Sequence, residues 1–299
     1  MSKKCLCGLF GKTREGYDSV SREKIARREE CRRKFKSAVM EIREQDPGIG
    51  AYKLYRMLSD IFPDEMMGRD AFYRFMHEHH LMLPPERRRH TTNSNHNYHK
   101  YKNLAKGMRP TRPNQLWVAD ITYIDTDNCF RLSHCYMLWV ADITYIDTEE
   151  GVVYLHLLTD AFTHEIIGWT LSDSLRAENT VMSLEQAITL MAVFSLSGLT
   201  HHSDRGSQYC CNAYIEKLKS INAAISMTED YKPTDNAIAE RINGIIKQEW
   251  LYRMKRPRDL QHAREIISGI IDFYNTRRPH MSNEGMLPPR KLREKYLGI

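Results

Sequence analysis

Three residues stand out for what they could do together. Asp204 lies in HSDRGSQY (202–209), Glu240 closes PTDNAIAE (233–240), and Lys247 follows Glu240 by seven residues. A helix capped near Asp235, whose short polar side chain suits an N-cap, puts Glu240, Asn243 and Lys247 on one face, because seven residues are close to two turns. A carboxylate and a cation about 10 Å apart along one helix can divide the work, one holding a metal ion and the other a phosphate. Isolated carboxylates are usually solvated surface groups, so the pair gains meaning only from a third. Asp142 supplies it by interrupting the apolar, β-branched run LWVADITYI (138–146). A buried, ionised Asp is costly unless it is paired or bound to a metal.

The elements that must position these groups can be read from periodicity. Strands are expected at 138–146, in VVYLHLLTDAF (152–162), in HEIIGWTLSD (164–173), at 199–204 and in AAISM (223–227). Helices are expected at 178–192, 212–221 and about 259–274, besides the one bearing Glu240. Strand–helix order alone says α/β. Upstream, a long charge-rich helix (21–45) ends at Pro47-Gly48, and two shorter apolar-periodic segments come next, at 51–61 and 70–80. Punctuated by Pro63 and Gly68, they read as a helix-turn-helix whose second helix would enter a major groove with Arg69 and Arg74 near the phosphates. The expected organisation is therefore a helical DNA-binding region (1–83), a basic polar linker (84–113), a catalytic core (114–280) and a C-terminal tail (281–299).

One anomaly bears on the first strand. LWVADITYIDT occurs twice, at 116–126 and 138–148, offset by 22 residues. Only one copy can be the central strand. The second is favoured because the turn Glu149-Glu150-Gly151 leads it straight into VVYLHLL as a hairpin partner. Asp142 is therefore preferred as the first acid, with Asp120 as the alternative. The displaced copy would then need cover for Trp117, Val118, Ile121 and Ile124.

Composition narrows the class. The 299 residues carry a net charge of +6 and no apolar run of about 18 residues, the length a membrane span needs. Seven cysteines without framework spacing fit a reducing cytoplasm, and the N-terminus lacks secretory-signal organisation. The charge is segmented at +11 for 1–115, −12 for 116–240 and +7 for 241–299. An acidic centre between basic flanks suits cations bound in the middle and DNA backbone gripped outside. Arg87, Arg88 and Arg89 in the linker, and Arg277 and Arg278 in YNTRRPH (274–280), are the expected phosphate contacts. HEHH (77–80) lacks metalloprotease spacing, and no cysteine pair stands near it at zinc-ligand spacing.

WVADITYI, HSDRGSQY, PTDNAIAE with Lys247, and YNTRRPH together resemble the DDE transposases of bacterial insertion sequences, which have a retroviral-integrase-like catalytic core. More narrowly, the chain is similar to their OrfB-type downstream-frame product. The motifs cover about 114–290, and a helical match covers about 45–85. The resemblance implies an RNase H-like core, a five-stranded mixed sheet flanked by helices, beside a small all-α helix-turn-helix domain. It implies two Mg²⁺ ions, with Mn²⁺ as a possible substitute, held by Asp142, Asp204 and Glu240. It further implies DNA contacts from Lys247, Asn243, Asn236 and Arg241, with His202 in a supporting or DNA-contacting place. The activity implied is nicking at the element's 3′ ends followed by strand transfer. Implied partners are element ends and target DNA, a second copy of the chain, and an upstream-frame product by fusion or association, in a cytoplasmic, nucleoid-associated setting. Two alternatives stay open: a DNA-binding remnant impaired by the duplication, and a general RNase H-like nuclease.

Overall fold

The computed structural model describes residues 11, 13–83, 99–125, 152–194, 196–228 and 237–298. The chain divides into two compact units, Met1–Pro84 and Pro85–Ile299.

In the first unit, α1 (Arg14–Gln45), α2 (Ala51–Ile61) and α3 (Arg69–Glu78) meet around one apolar core. Phe35, Val39 and Ile42 recur on α1 at helical spacing and are buried with Leu54 and Leu58 of α2 and Phe72, Phe75 and Met76 of α3. The Phe35 and Phe62 rings meet edge to face at 5.5 Å. Arg43 donates to the Leu81 carbonyl at 2.6 Å, tying the end of α1 to the chain beyond α3. Seven residues separate α2 from α3, more than the 3–4-residue turn of a standard helix-turn-helix.

The second unit is built on a five-stranded sheet in the order β3-β2-β1-β4-β5. Its strands are β1 (Leu116–Asp125), β2 (Val152–Asp160), β3 (Ile166–Ser172), β4 (Thr200–Ser203) and β5 (Ala224–Met227). β1 runs antiparallel to β2 and parallel to β4; β2–β3 is antiparallel and β4–β5 parallel. The helices are α4 (Ala177–Met191), α5 (Ser207–Cys210), α6 (Asn212–Ser220), α7 (Ala237–Ile246), α8 (Leu260–Thr276) and α9 (Pro289–Leu297). Three antiparallel strands extended by two parallel ones through helical connections make an RNase H-like fold.

The central strand is the first copy of the repeat, which corrects the expectation that the second copy fills this place. The reason lies upstream of the strand. The Asn114 amide donates to Asp160 Oδ2 at 2.8 Å, and the Asn114 side chain accepts from Trp117 Nε1 at 3.2 Å. Thr200 donates its amide to the Gln115 carbonyl at 3.0 Å. Further back, the Leu104 amide donates to Ser226 Oγ at 2.7 Å. The chain is thus pinned beside β2, β4 and β5 just before Leu116, and it delivers the first copy into the slot. The second copy, with Asp142, lies outside the described residues, as do Asn236 and Arg87–Arg89.

Alternation along β1 divides its neighbours. Trp117 and Ala119 face the larger core with Leu184, Met191, Tyr214 and Leu218, while Leu116 and Val118 face Ala239 of α7. Gly168 of β3 sits so close to α4 that an added Cβ would lie 2.1 Å from the Ser183 carbonyl oxygen. The tail beyond 280 ends in a helix that the sequence pattern does not announce. Buried Glu165 holds α9 through Arg290 at 3.2 Å and Arg293 at 3.0 Å. No helix of the described residues is long and apolar enough to cross a membrane.

Candidate active site

Asp120 continues the Leu116, Val118 series and so points to the α7 side of the sheet. Paired residues on parallel strands share a face, and the β1–β4 pairing ends at Ala119 with Ser203. Asp120 and Asp204 are therefore the next residues on neighbouring strands, which run about 4.8 Å apart. β1 continues along β2 to Asp125 while β4 stops, so the sheet opens beside Asp120. The chain then turns at Asp204, whose Oδ1 accepts the Gly206 amide at 2.8 Å.

α7 covers this opening. Ala239, Ile242, Ile245 and Ile246 are buried, and Asn243 reaches Asp120, its Nδ2 donating to Oδ2 at 2.6 Å. Glu240 precedes Asn243 by three residues, on the same side of the helix and about 4.5 Å nearer its start. Glu240 and Arg241 are exposed and Lys247 is half-buried. Lys247 opens a π-helical turn, Lys247–Leu251, whose five-residue hydrogen bond runs from the Tyr252 amide to the Lys247 carbonyl at 2.9 Å. Such turns recur at functional sites. Among the described residues, no three His, Cys, Asp or Glu side chains stand as a group that could hold a metal.

Below the acids lie histidines. His202 is buried, its Nδ1 2.9 Å from Ser226 Oγ, so it ties β4 to β5. Its neighbour His201 meets the Tyr214 hydroxyl at 2.9 Å, and burial, then the adjacent His202, lowers its pKa to about 3. His156, hydrogen-bonded to Thr180, is lowered by burial to about 4. The Cys210 thiol is pushed up to about 11 by burial and by the nearby Asp204 carboxylate, which keeps it protonated and unsuited to nucleophilic work.

The expected DNA contacts divide. Arg69 and Arg74 in the first unit and Arg277 in the second are exposed. Arg278 corrects the expectation. It is 1% exposed and forms a two-pronged pair with Glu249, Nε to Oε2 at 2.6 Å and Nη2 to Oε1 at 2.8 Å. Its guanidinium also lies 5.4 Å from the Tyr274 ring centroid. The pair clamps the π-turn against α8. Two adjacent arginines look alike in sequence, and the partner lies 29 residues away, so no local signal distinguishes them.

Comparison with known proteins supplies the family. Two family profiles, both described as integrase core domain, match residues 133–233 and 222–289. The first match takes in the second copy of the repeat, whereas the sheet seats the first. The insertion element IS600 uncharacterized 31 kDa protein of Shigella sonnei is 33% identical over 299 residues, covering 97% of this chain and 98% of that one. The transposase for insertion sequence element IS629 of Shigella sonnei is 36% identical over 185 residues, covering 62% of this chain and 53% of the relative. The putative transposase for IS986/IS6110 of Mycobacterium tuberculosis is 33% identical over 196 residues, covering 64% and 62%. Among solved structures, the HTLV-2 integrase catalytic core with magnesium aligns with 62% of this chain and 99% of that one, at 18% identity and a TM-score of 0.43. The integrase core family match and the transposase relatives define a polynucleotidyl transferase of the DDE class. The chain belongs to the insertion-sequence transposase family.

Proposed function

We propose that the chain nicks DNA at the 3′ ends of its element and joins them to a target, with Asp120, Asp204 and Glu240 as the acidic triad. The observation that carries this reading is the register of β1 against β4, which makes two acids neighbours where the sheet opens under α7. The donor set fits Mg²⁺ in kind: three hard carboxylates and no soft ligand, for an ion that keeps several waters. Asp120 and Asp204 would hold it from the sheet and Glu240 from the helix. When bound, two such ions activate an attacking hydroxyl and stabilise the departing oxygen.

The chain's own groups do the positioning. Lys247, about 10 Å along the helix from Glu240, offers a cation to a phosphate of the DNA end, and Arg241 a second. The basic linker residues Arg87, Arg88 and Arg89, with Asn236, extend this grip, as does exposed Arg277. Arg69 and Arg74 on α3 give the first unit a helix for duplex DNA, reached through a longer turn than a standard helix-turn-helix has. The DNA partners are element ends and target. A second copy of the chain pairs the two ends, and an upstream-frame product joins by fusion or association.

A second reading has one observation in its favour. The integrase core match begins at residue 133, so it takes in Asp142 and leaves out Asp120. The two copies are identical over eleven residues, and either supplies the same strand. The test uses purified chain, Mg²⁺ and a duplex ending in the terminal sequence of the encoding element. Site-specific nicking that EDTA stops and Glu240→Gln removes supports the proposal. Nicking that survives Glu240→Gln removes the helix acid from the mechanism.

A further inference from the structure

We infer that Asn243 is a positioning residue for the Asp120 carboxylate, not a DNA contact. The inference rests on the triad reading above and assigns Asn243 a different task within it. The side chain is 5% exposed, too deep to meet a DNA backbone directly. Its Nδ2 donates to Asp120 Oδ2 at 2.6 Å. Its Oδ1 is buried and has no hydrogen-bond partner among the described residues. Turning the amide over would set that oxygen against a carboxylate oxygen, so the bond to Asp120 fixes the amide's orientation as well as the acid's. The backbone beneath is rigid, because Ile242, Ile245 and Ile246 anchor α7 in the core.

The chemistry of the donor explains why an amide suits this place. A lysine or arginine here would orient Asp120 but also neutralise it and repel a cation. An amide orients the carboxylate through Oδ2 without adding charge. Hydrogen bonds of this kind to ligating carboxylates hold ligands in place, and their loss typically costs about 10–100-fold in metal affinity or activity. Asn243 also couples the two elements of the site. It joins the strand acid to the helix that carries Glu240 one turn away.

The test compares Asn243→Leu, close to Asn in size, and Asn243→Ala with Asp120→Asn, Asp204→Asn and the double variant Asp120→Asn/Asn243→Leu, all in the full chain. Mn²⁺ binding is read by paramagnetic resonance of the free ion, DNA-end affinity in EDTA, and folding by thermal unfolding. Both Asn243 variants should weaken Mn²⁺ binding about 10–100-fold, leave DNA affinity in EDTA within twofold of wild type, and keep the melting transition. The double variant should bind Mn²⁺ no worse than Asp120→Asn alone, because the two residues act as one unit. Weakened DNA binding with unchanged Mn²⁺ affinity would return Asn243 to the DNA surface and overturn the inference. So would weakened Mn²⁺ binding in the Asn243 variants but not in Asp120→Asn. If Asp120→Asn weakens Mn²⁺ binding and the Asn243 variants do not, the inference fails while the triad stands. If neither Asp120→Asn nor Asp204→Asn affects Mn²⁺, the triad itself fails.

Discussion

Asp204→Asn is a mild test of the second acid, because an amide oxygen can still accept from the Gly206 amide. Asp204→Asn keeps that oxygen and removes the charge, so nicking should fall by about 10²–10³ or more while the melting temperature holds. The buried histidines make stability depend on pH. His201 and His156 have folded pKa values of about 3 and about 4, both below the ordinary value of 6.5. Below 6.5 the unfolded chain takes up their protons and the folded chain does not. Their stabilisation is therefore complete above pH 6.5 and is lost as pH falls towards 4 and 3. Each contributes up to about 1.4 kcal/mol per pH unit. Asp160 and Glu165, raised by burial, act in the opposite direction in acid, so the comparison must be made between variants. His201→Gln should lose less melting temperature than wild type between pH 7 and 5; an equal loss would contradict the assignment. At this scale motif spacing singles out Asp204 and Glu240 as candidates and leaves Asp142 and Asp120 as rivals, but it does not reveal Asn243's bond to Asp120, whose partners lie 123 residues apart.

Elements carry a different kind of information. Strand alternation and helix periodicity make β2, β3, α4, α6 and α8 legible, down to the cap where Asp259 accepts from the His262 amide at 2.8 Å. They cannot choose between two identical copies of β1, since the choice depends on long-range anchors at Asn114 and Gln115. Nor does periodicity reveal α9, which Glu165 recruits from across the unit. Two packing predictions belong here. Gly168→Ala drives a methyl into the Ser183 carbonyl and should destabilise the unit by about 1–3 kcal/mol or more, read by denaturant unfolding. Arg278→Ala strips a buried partner from Glu249 and should cost about 3–5 kcal/mol. Arg277→Ala, at an exposed position, should cost far less stability than Arg278→Ala and weaken DNA binding. Equal destabilisation by both arginine changes would remove the distinction between them.

For the whole molecule, the proposed function assigns chemistry to the acidic middle and grip on DNA to the basic flanks. Replacing Arg87, Arg88 and Arg89 together by Ala should flatten the dependence of DNA affinity on salt by about two to three in log–log slope, with nicking preserved at low salt. The 22-residue offset of the repeat gives a stricter test. Deleting 116–137 joins Gln115 directly to Leu138, restores one copy of the strand, and shortens its link to β2. A dispensable insertion predicts that the shortened chain folds and nicks like the parent. The central claim, that neighbouring acids on β1 and β4 drive the chemistry, is tested most directly by one Mg²⁺-dependent nicking assay. It compares Asp204→Asn, Asp120→Asn, Asp142→Asn and the double change at 120 and 142. The predicted result is loss with Asp204→Asn, Asp120→Asn and the double variant, and near-parental activity with Asp142→Asn. Parental activity in Asp204→Asn, or in the variant lacking both Asp120 and Asp142, would contradict it.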